Sequence, residues 1–137
     1  MLVQWHLQKQ AKTFVSRLGD RVASLAVSGA YYGVILGDNS LRVIRNDNNK
    51  VVVSHKNAHF DPASMGCELG SVSNILTIPY GDTLQFVDFS SEHIKVDSLS
   101  LRPRNVVSNA DGVISTSKSM TKAYALSPNE HNLCTLD

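Results

Sequence analysis

Three short stretches of this chain repeat one another: Leu2-Val3-Gln4-Trp5-His6-Leu7, Leu41-Arg42-Val43-Ile44-Arg45-Asn46 and Leu84-Gln85-Phe86-Val87-Asp88-Phe89 begin 39 and then 43 positions apart. A repeat of about 40–45 residues is the spacing of four-stranded propeller blades, units that bury their faces only by stacking on neighbours. The second and third copies also share a lead-in, Ile35-Leu36-Gly37-Asp38-Asn39-Ser40 and Ile78-Pro79-Tyr80-Gly81-Asp82-Thr83. Gly-Asp and Asp-Asn are turn chemistry, because glycine tolerates positive φ and an Asp or Asn side chain can bond the backbone two residues on. Each lead-in predicts a tight turn after a strand, Tyr31 to Leu36 in the first case and Asn74 to Ile78 in the second, both rich in residues that suit a pleated surface.

Around these turns the rest of each unit falls into place. Arg21 to Ser28 alternates, with Val22, Ser24, Ala26 and Ser28 on one face and Ala23, Leu25 and Val27 on the other, as expected of an inner strand with one apolar face. Val51 to His55 follows the turn residues Asn46-Asp47-Asn48-Asn49 and completes a hairpin, Asn57 to Pro62 reads as a loop, and His93 to Leu99 closes the next unit. A last hairpin runs from Met120-Thr121-Lys122-Ala123-Tyr124-Ala125-Leu126-Ser127 through Pro128-Asn129-Glu130-His131 to Asn132-Leu133-Cys134-Thr135-Leu136-Asp137. The expected fold class is all-β: WD-repeat β-propeller blades in an open partial propeller, about two full blades plus two partial ones. Residues 1–16 end one blade, 21–55 and 65–101 are full blades, and 119–137 start another. A propeller covers its edges by closing a ring of typically four to eight blades. Two whole blades leave strand edges and apolar faces open, so the chain reads as a piece of a longer protein.

Composition excludes several classes. With 42% hydrophobic and 18% charged residues the chain has the apolar material to fold. A formal net charge of +1 gives no global attraction to phosphate, so nucleic-acid contact would need a local patch or partner proteins. The N-terminus lacks the pattern of a secretory signal, and no apolar run approaches the roughly 20 residues that span a bilayer. Cys67 and Cys134 are far apart and each sits in apolar surroundings that read as strand, so the expectation is a reduced, intracellular, soluble chain.

Residues that could carry chemistry are scattered. His6, His55, His59, His93 and His131 show no paired ligand spacing, so no metal site is expected. Asp38 and Asp82 are explained by their turns and Asp88 by a strand end, rather than as paired carboxylates for acid–base work. No nucleophile elbow, phosphate-cradling glycine loop or Cys/His dyad is present, so the expectation is a chain with no catalytic residue and no cofactor. Arg102-Pro103-Arg104 with Lys95 could touch phosphate, but a few basic residues in a loop are more often solvated surface. Trp5, Tyr80 and Phe86 could stack on bases, yet aromatics inside apolar strands read as core or blade-to-blade filler.

Taken in order, Val3-Gln4-Trp5-His6-Leu7, Phe14-Val15-Ser16-Arg17-Leu18-Gly19, Ala26-Val27-Ser28 and Leu36-Gly37-Asp38-Asn39-Ser40-Leu41 resemble the WD-repeat nucleolar proteins of the transcription-associated Utp subcomplex of the small-subunit processome. Thr83 to Asp88, Asn105 to Ser108, Ala125 to Ser127 and Leu133 to Asp137 follow in the same order, so the resemblance covers nearly the whole chain. Departures fall at Ser16, where the family pattern leads one to expect proline, and in the loop from Gly112 to Lys118. The resemblance implies a scaffold in the nucleus and nucleolus that assembles with other Utp proteins on pre-rRNA and snoRNA-containing complexes, mostly indirectly, without membrane or small-molecule substrate. It also implies support of rDNA transcription and of pre-rRNA processing in ribosome biogenesis. The rival readings are a WD-repeat adaptor in another intracellular complex and a small stand-alone enzyme or ligand-binding barrel.

Overall fold

The computed structural model describes residues 2–15, 18–63, 66–91, 93–101 and 123–136. Every regular element among them is a β-strand. The chain opens with a hairpin of β1 (Val3–His6) and β2 (Ala11–Phe14). A four-stranded antiparallel sheet follows, formed in sequence order by β3 (Val22–Ser28), β4 (Tyr31–Leu36), β5 (Leu41–Arg45) and β6 (Val51–His55). A second sheet has the same plan, with β7 (Glu68–Leu69), β8 (Ile75–Tyr80), β9 (Thr83–Asp88) and β10 (Lys95–Ser100). A hairpin of β11 (Ala123–Leu126) and β12 (Leu133–Leu136) comes last. The described residues are thus all-β and form four antiparallel sheets, none of them closed, an arrangement consistent with a partial propeller.

The turns follow from their residues. Ser28 pairs with Tyr31 across Gly29-Ala30, and Tyr80 with Thr83 across Gly81-Asp82. Gly29 (φ +46°) and Gly81 (φ +61°) take the first central position, where a type II′ hairpin turn demands positive φ. Between β4 and β5 the positive φ falls instead on Asn39 (60°), with the Asp38 carboxylate accepting from the Ser40 N–H at 2.9 Å and the Ser40 hydroxyl at 2.6 Å. β8 runs two residues past the strand end expected at Ile78. β7 pairs with Leu76 and Thr77, and Pro79, near the end of β8, pairs with Leu84 of β9.

Strand alternation divides the core in two. Tyr32, Val34 and Leu36 of β4 face the first hairpin and pack with Val15, Leu18 and Ile44. Ile35 faces the other way and joins Ala26 and Leu41 against Cys67, Leu69, Leu76, Ile78 and Val87 of the second sheet. The first strands of the two sheets, β3 and β7, lie side by side. Gly33 makes this approach possible, because a Cβ on it would stand 2.8 Å from Leu76 Cδ1. At the rim of the same interface Tyr31 and Phe89 meet edge to face, centroids 5.4 Å apart. The loop at 57–62 does more than connect, since Ala58 and Phe60 are buried in this interface and the Ala58 N–H donates to Asn39 O at 2.8 Å.

The apolar face expected on β3 is present, but it is not core. Leu25 and Val27 lie opposite Val34 and Tyr32, on the side of the first hairpin, and are 44% and 66% exposed. On that side Val22, at the start of β3, packs against the cluster formed by Tyr32, Val34, Leu36 and Ile44, but Leu25 and Val27 are left exposed.

Candidate functional site

A recess of about 560 Å³ opens between β1 and one turn end of the first sheet. Gln4, His6, Gly29, Ala30, Tyr31, Arg45, Asn46 and Asp47 line it. Alternation along β1 puts Gln4 and His6 on the side of the sheet and Trp5 on the opposite side. Gln4 Nε2 donates to the backbone oxygen of Asn46 at 3.0 Å and also meets its side-chain oxygen. Asn46 in turn ties the two turns together, its backbone N–H donating to Ala30 O at 2.8 Å and its Nδ2 to Gly29 O at 3.3 Å. The His6 ring lies 3.4 Å from the Thr13 hydroxyl across the hairpin. Arg45 and Asp47 stand exposed at the rim. An open recess with amide, imidazole, guanidinium and carboxylate groups at its edge suits hydrogen bonding to an extended polar segment better than enclosure of a small molecule, whose sites are deeper and more apolar.

The other residues singled out in the sequence are not brought together. His55 lies on β6, His59 on the 57–62 loop beside the Tyr80 ring, and His93 and His131 in separate turns. Among the described residues no three of His, Cys, Asp and Glu gather. Asp38 and Asp88 end as read from the sequence, in turn and strand-end bonds, and the Ser40 and Ser90 groups hold their carboxyls below the usual range. Cys67 and Cys134 are both free thiols. Burial pushes the Cys67 thiol up, although Ser24 Oγ lies 3.2 Å from its sulfur and also accepts the Cys67 N–H. Arg102-Pro103-Arg104, and with them Ser16, Asn105 to Ser108 and Gly112 to Lys118, lie outside the described residues.

Two aromatic assignments need correction. Trp5 is 63% exposed rather than core, while Ile44 and Val87, its counterparts in the repeat, are 0% and 1% exposed. Its strand has the same alternation, but no sheet among the described residues lies against its outer face, where Lys12 Nζ sits 5.8 Å from the Trp5 ring and 5.5 Å from that of Phe14. Tyr80, half exposed at the end of β8, contacts His59, and only Phe86 is partly buried in its strand.

A second constellation had no sequence signal. In the β11–β12 turn Glu130 adopts φ 59° and aims its carboxylate at the β7–β8 turn, accepting from the Val72 N–H at 2.8 Å, the Ser73 N–H at 3.1 Å and the Ser73 hydroxyl. The Ser73 hydroxyl first, and then the Val72 N–H, hold this carboxyl below the ordinary range. Gly70 leaves the space, since a Cβ there would lie 2.7 Å from Glu130 Oε2. Nearby, the Tyr124 hydroxyl points at Gly66 O (3.1 Å) and Thr77 O (3.3 Å), and burial raises its ionisation far above the usual tyrosine value. These contacts fasten the last hairpin to the second sheet across nearly sixty residues of sequence. No protein-family profile matches the chain, and no curated protein is similar to it.

Proposed function

We propose that these sheets are WD-repeat propeller blades and that the chain is a non-enzymatic scaffold in ribosome biogenesis. It acts in the nucleolus, in small-subunit processome assembly, pre-rRNA processing and rDNA transcription. The observation that carries the scaffold reading is the repeated sheet: two four-stranded meanders share one interface, with their first strands side by side. Such a stack holds short turns rigidly at both ends, those at 29–30 and 46–50 at one and those at 37–40 and 57–62 at the other. It therefore presents binding surfaces without needing chemistry of its own. The recess beside Gln4 and Asn46 is one such surface. The processome assignment is supported by the ordered resemblance of the chain to Utp WD-repeat proteins, and fold alone would not license it. The test is to purify the tagged endogenous protein with and without ribonuclease and identify what remains bound. Enrichment of pre-rRNA, with several other Utp proteins retained after ribonuclease, is the expected result. An unrelated set of partners would overturn the processome reading in favour of an adaptor in another complex.

A further inference from the structure

We propose that the recess between β1 and the turn end of the first sheet holds an extended peptide segment of a partner protein that bears side-chain carboxylates, with Arg45 as the residue that pairs with them. The inference deepens the scaffold reading and rests on it, and it is independent of the processome assignment. It starts from charge. Residues 41–57, the β5–β6 hairpin, carry Arg42, Arg45, Lys50 and Lys56 against Asp47, a net of +3 in a chain whose total is +1. Their repeat counterpart, 84–100, carries Lys95 against Asp88, Glu92 and Asp97, a net of −2. The two hairpins hold the same place in their sheets, so the basic charge belongs to this hairpin and is not required by the stacking. At its turn end Arg45 and Lys50 stand exposed, and the Arg45 guanidinium has no partner among the described residues.

The recess is built differently from its counterpart one sheet further on. His6, Arg45 and Asp88 hold the same position in the three copies of the repeat, as do Leu7, Asn46 and Phe89. In the third copy Asp88 accepts from the Ser90 N–H at 2.9 Å and the Phe89 ring packs on Tyr31, so rings fill the interface between the two sheets. In front of the first sheet His6 and Arg45 converge on one opening, and Asn46 stands where the ring would be. The carbonyl groups around it are already engaged: Gly29 O accepts from Asn46 Nδ2, Ala30 O from the Asn46 N–H, and Asn46 O from Gln4 Nε2. What the recess still offers is the Arg45 guanidinium and the His6 ring nitrogen that does not meet Thr13, with Gln4 Oε1 as an acceptor and Asp47 at the rim. A peptide answers both kinds of group. Its side-chain carboxylate can take two parallel bonds from the guanidinium, and its backbone N–H can donate to Gln4 Oε1. A nucleic acid suits the recess less, since its backbone has no N–H to give and brings a phosphate at every nucleotide against the Asp47 carboxylate.

Fluorescence anisotropy of a fluorescein-labelled peptide alternating Glu and Ser, titrated with the purified protein in about 0.1 M salt, tests the assignment. This peptide is expected to bind, and the same peptide with Gln in place of Glu is not. Arg45→Gln should weaken binding about tenfold or more, as loss of a charge-assisted bond does. Asp47→Asn should strengthen it about threefold by removing a like charge, a gain that misfolding cannot produce. Lys56→Gln makes the same change of charge at the far end of the hairpin, about 16 Å along β6 and beyond the screening length, and should change affinity by less than about twofold. Absence of binding by the Glu-Ser peptide overturns the proposal, and so does an equal loss in Arg45→Gln and Lys56→Gln, the mark of diffuse charge. An oligouridylate that binds more tightly than the peptide and is released by Arg45→Gln overturns it in favour of nucleic acid. The scaffold reading is judged separately, by the partner proteins that the wild-type protein retains after ribonuclease. Their retention without peptide binding removes only the recess assignment, and their absence removes the scaffold beneath it.

Discussion

Gly33→Ala tests whether the two four-stranded sheets truly share an interface. A Cβ at residue 33 would meet Leu76 Cδ1 at 2.8 Å and Cδ2 at 3.4 Å. Ordinary carbon contacts lie near 3.5–4.0 Å, so Leu76 or the sheet must give way by roughly 1 Å. Leu76 is fully buried among Ile35, Leu41 and Ile78 and has little freedom to do so. Overpacking of this kind costs about 1–3 kcal/mol. Against it, replacing a glycine at ordinary φ stabilises by about 0.4–1 kcal/mol through the unfolded chain, leaving a net loss of about 1–2 kcal/mol. Leu76→Ala alone should cost about 2–5 kcal/mol, the range for opening a cavity at such a site. The double variant is the decisive one, because with the Leu76 methyls gone the new methyl at residue 33 fills space, and the two changes should couple favourably by about 1–3 kcal/mol. Urea unfolding followed by circular dichroism, at one fixed protein concentration so that association does not enter, measures all four species. If Gly33→Ala is no less stable than the parent, or costs the same with and without Leu76, the packing of β4 on β8 is refuted.

Other consequences can be read from single contacts. Glu130→Gln should lower the melting temperature at neutral pH, by an amount corresponding to no more than about 1 kcal/mol because solvent screens the group. Its folded ionisation is depressed, so the stabilisation exists above the unfolded value of 4.5 and is lost as pH falls through the folded value. Melting curves of the two proteins should therefore converge in acid, and a constant gap would exclude the carboxylate as the cause. Tyr124→Phe removes the hydroxyl that reaches Gly66 O and Thr77 O and should cost about 1 kcal/mol in urea titrations. In ultraviolet titration of the folded protein Tyr124 should ionise well above the usual tyrosine value, and stability should fall as pH rises above 10, since the unfolded chain releases that proton first. Ile44→Ala should cost about 2–5 kcal/mol and Trp5→Ala far less, because one side chain is fully buried and its repeat counterpart is not.

The strands were largely legible in the sequence because they rest on local chemistry. Tyr31–Leu36 was bounded correctly by its β-branched and aromatic residues and by the Gly37-Asp38-Asn39-Ser40 turn. Two-residue β7 carried too little pattern to be seen, and it exists because β8 offers it a ladder. The 57–62 loop looked featureless, although Ala58 and Phe60 are core residues, since burial there depends on which sheets the loop crosses. The recess was hardly legible. Gln4 and Asn46 are ordinary polar residues 42 positions apart, and Glu130 reads as a plain turn residue until the fold brings the Val72 and Ser73 amides to it.

The period and the plan of the sheets follow from local chemistry alone. Repeated Leu-initiated strands, Gly and Asn turns and strict alternation fix which residues form a sheet and which share a face, because hydrogen-bond ladders and turn geometry are satisfied within about 40 residues. The tertiary structure decided which face is buried. Ile44 and Trp5 carry equivalent signals, but a side chain leaves water only where another element comes to meet it, and Ile44 has such a neighbour while Trp5 does not.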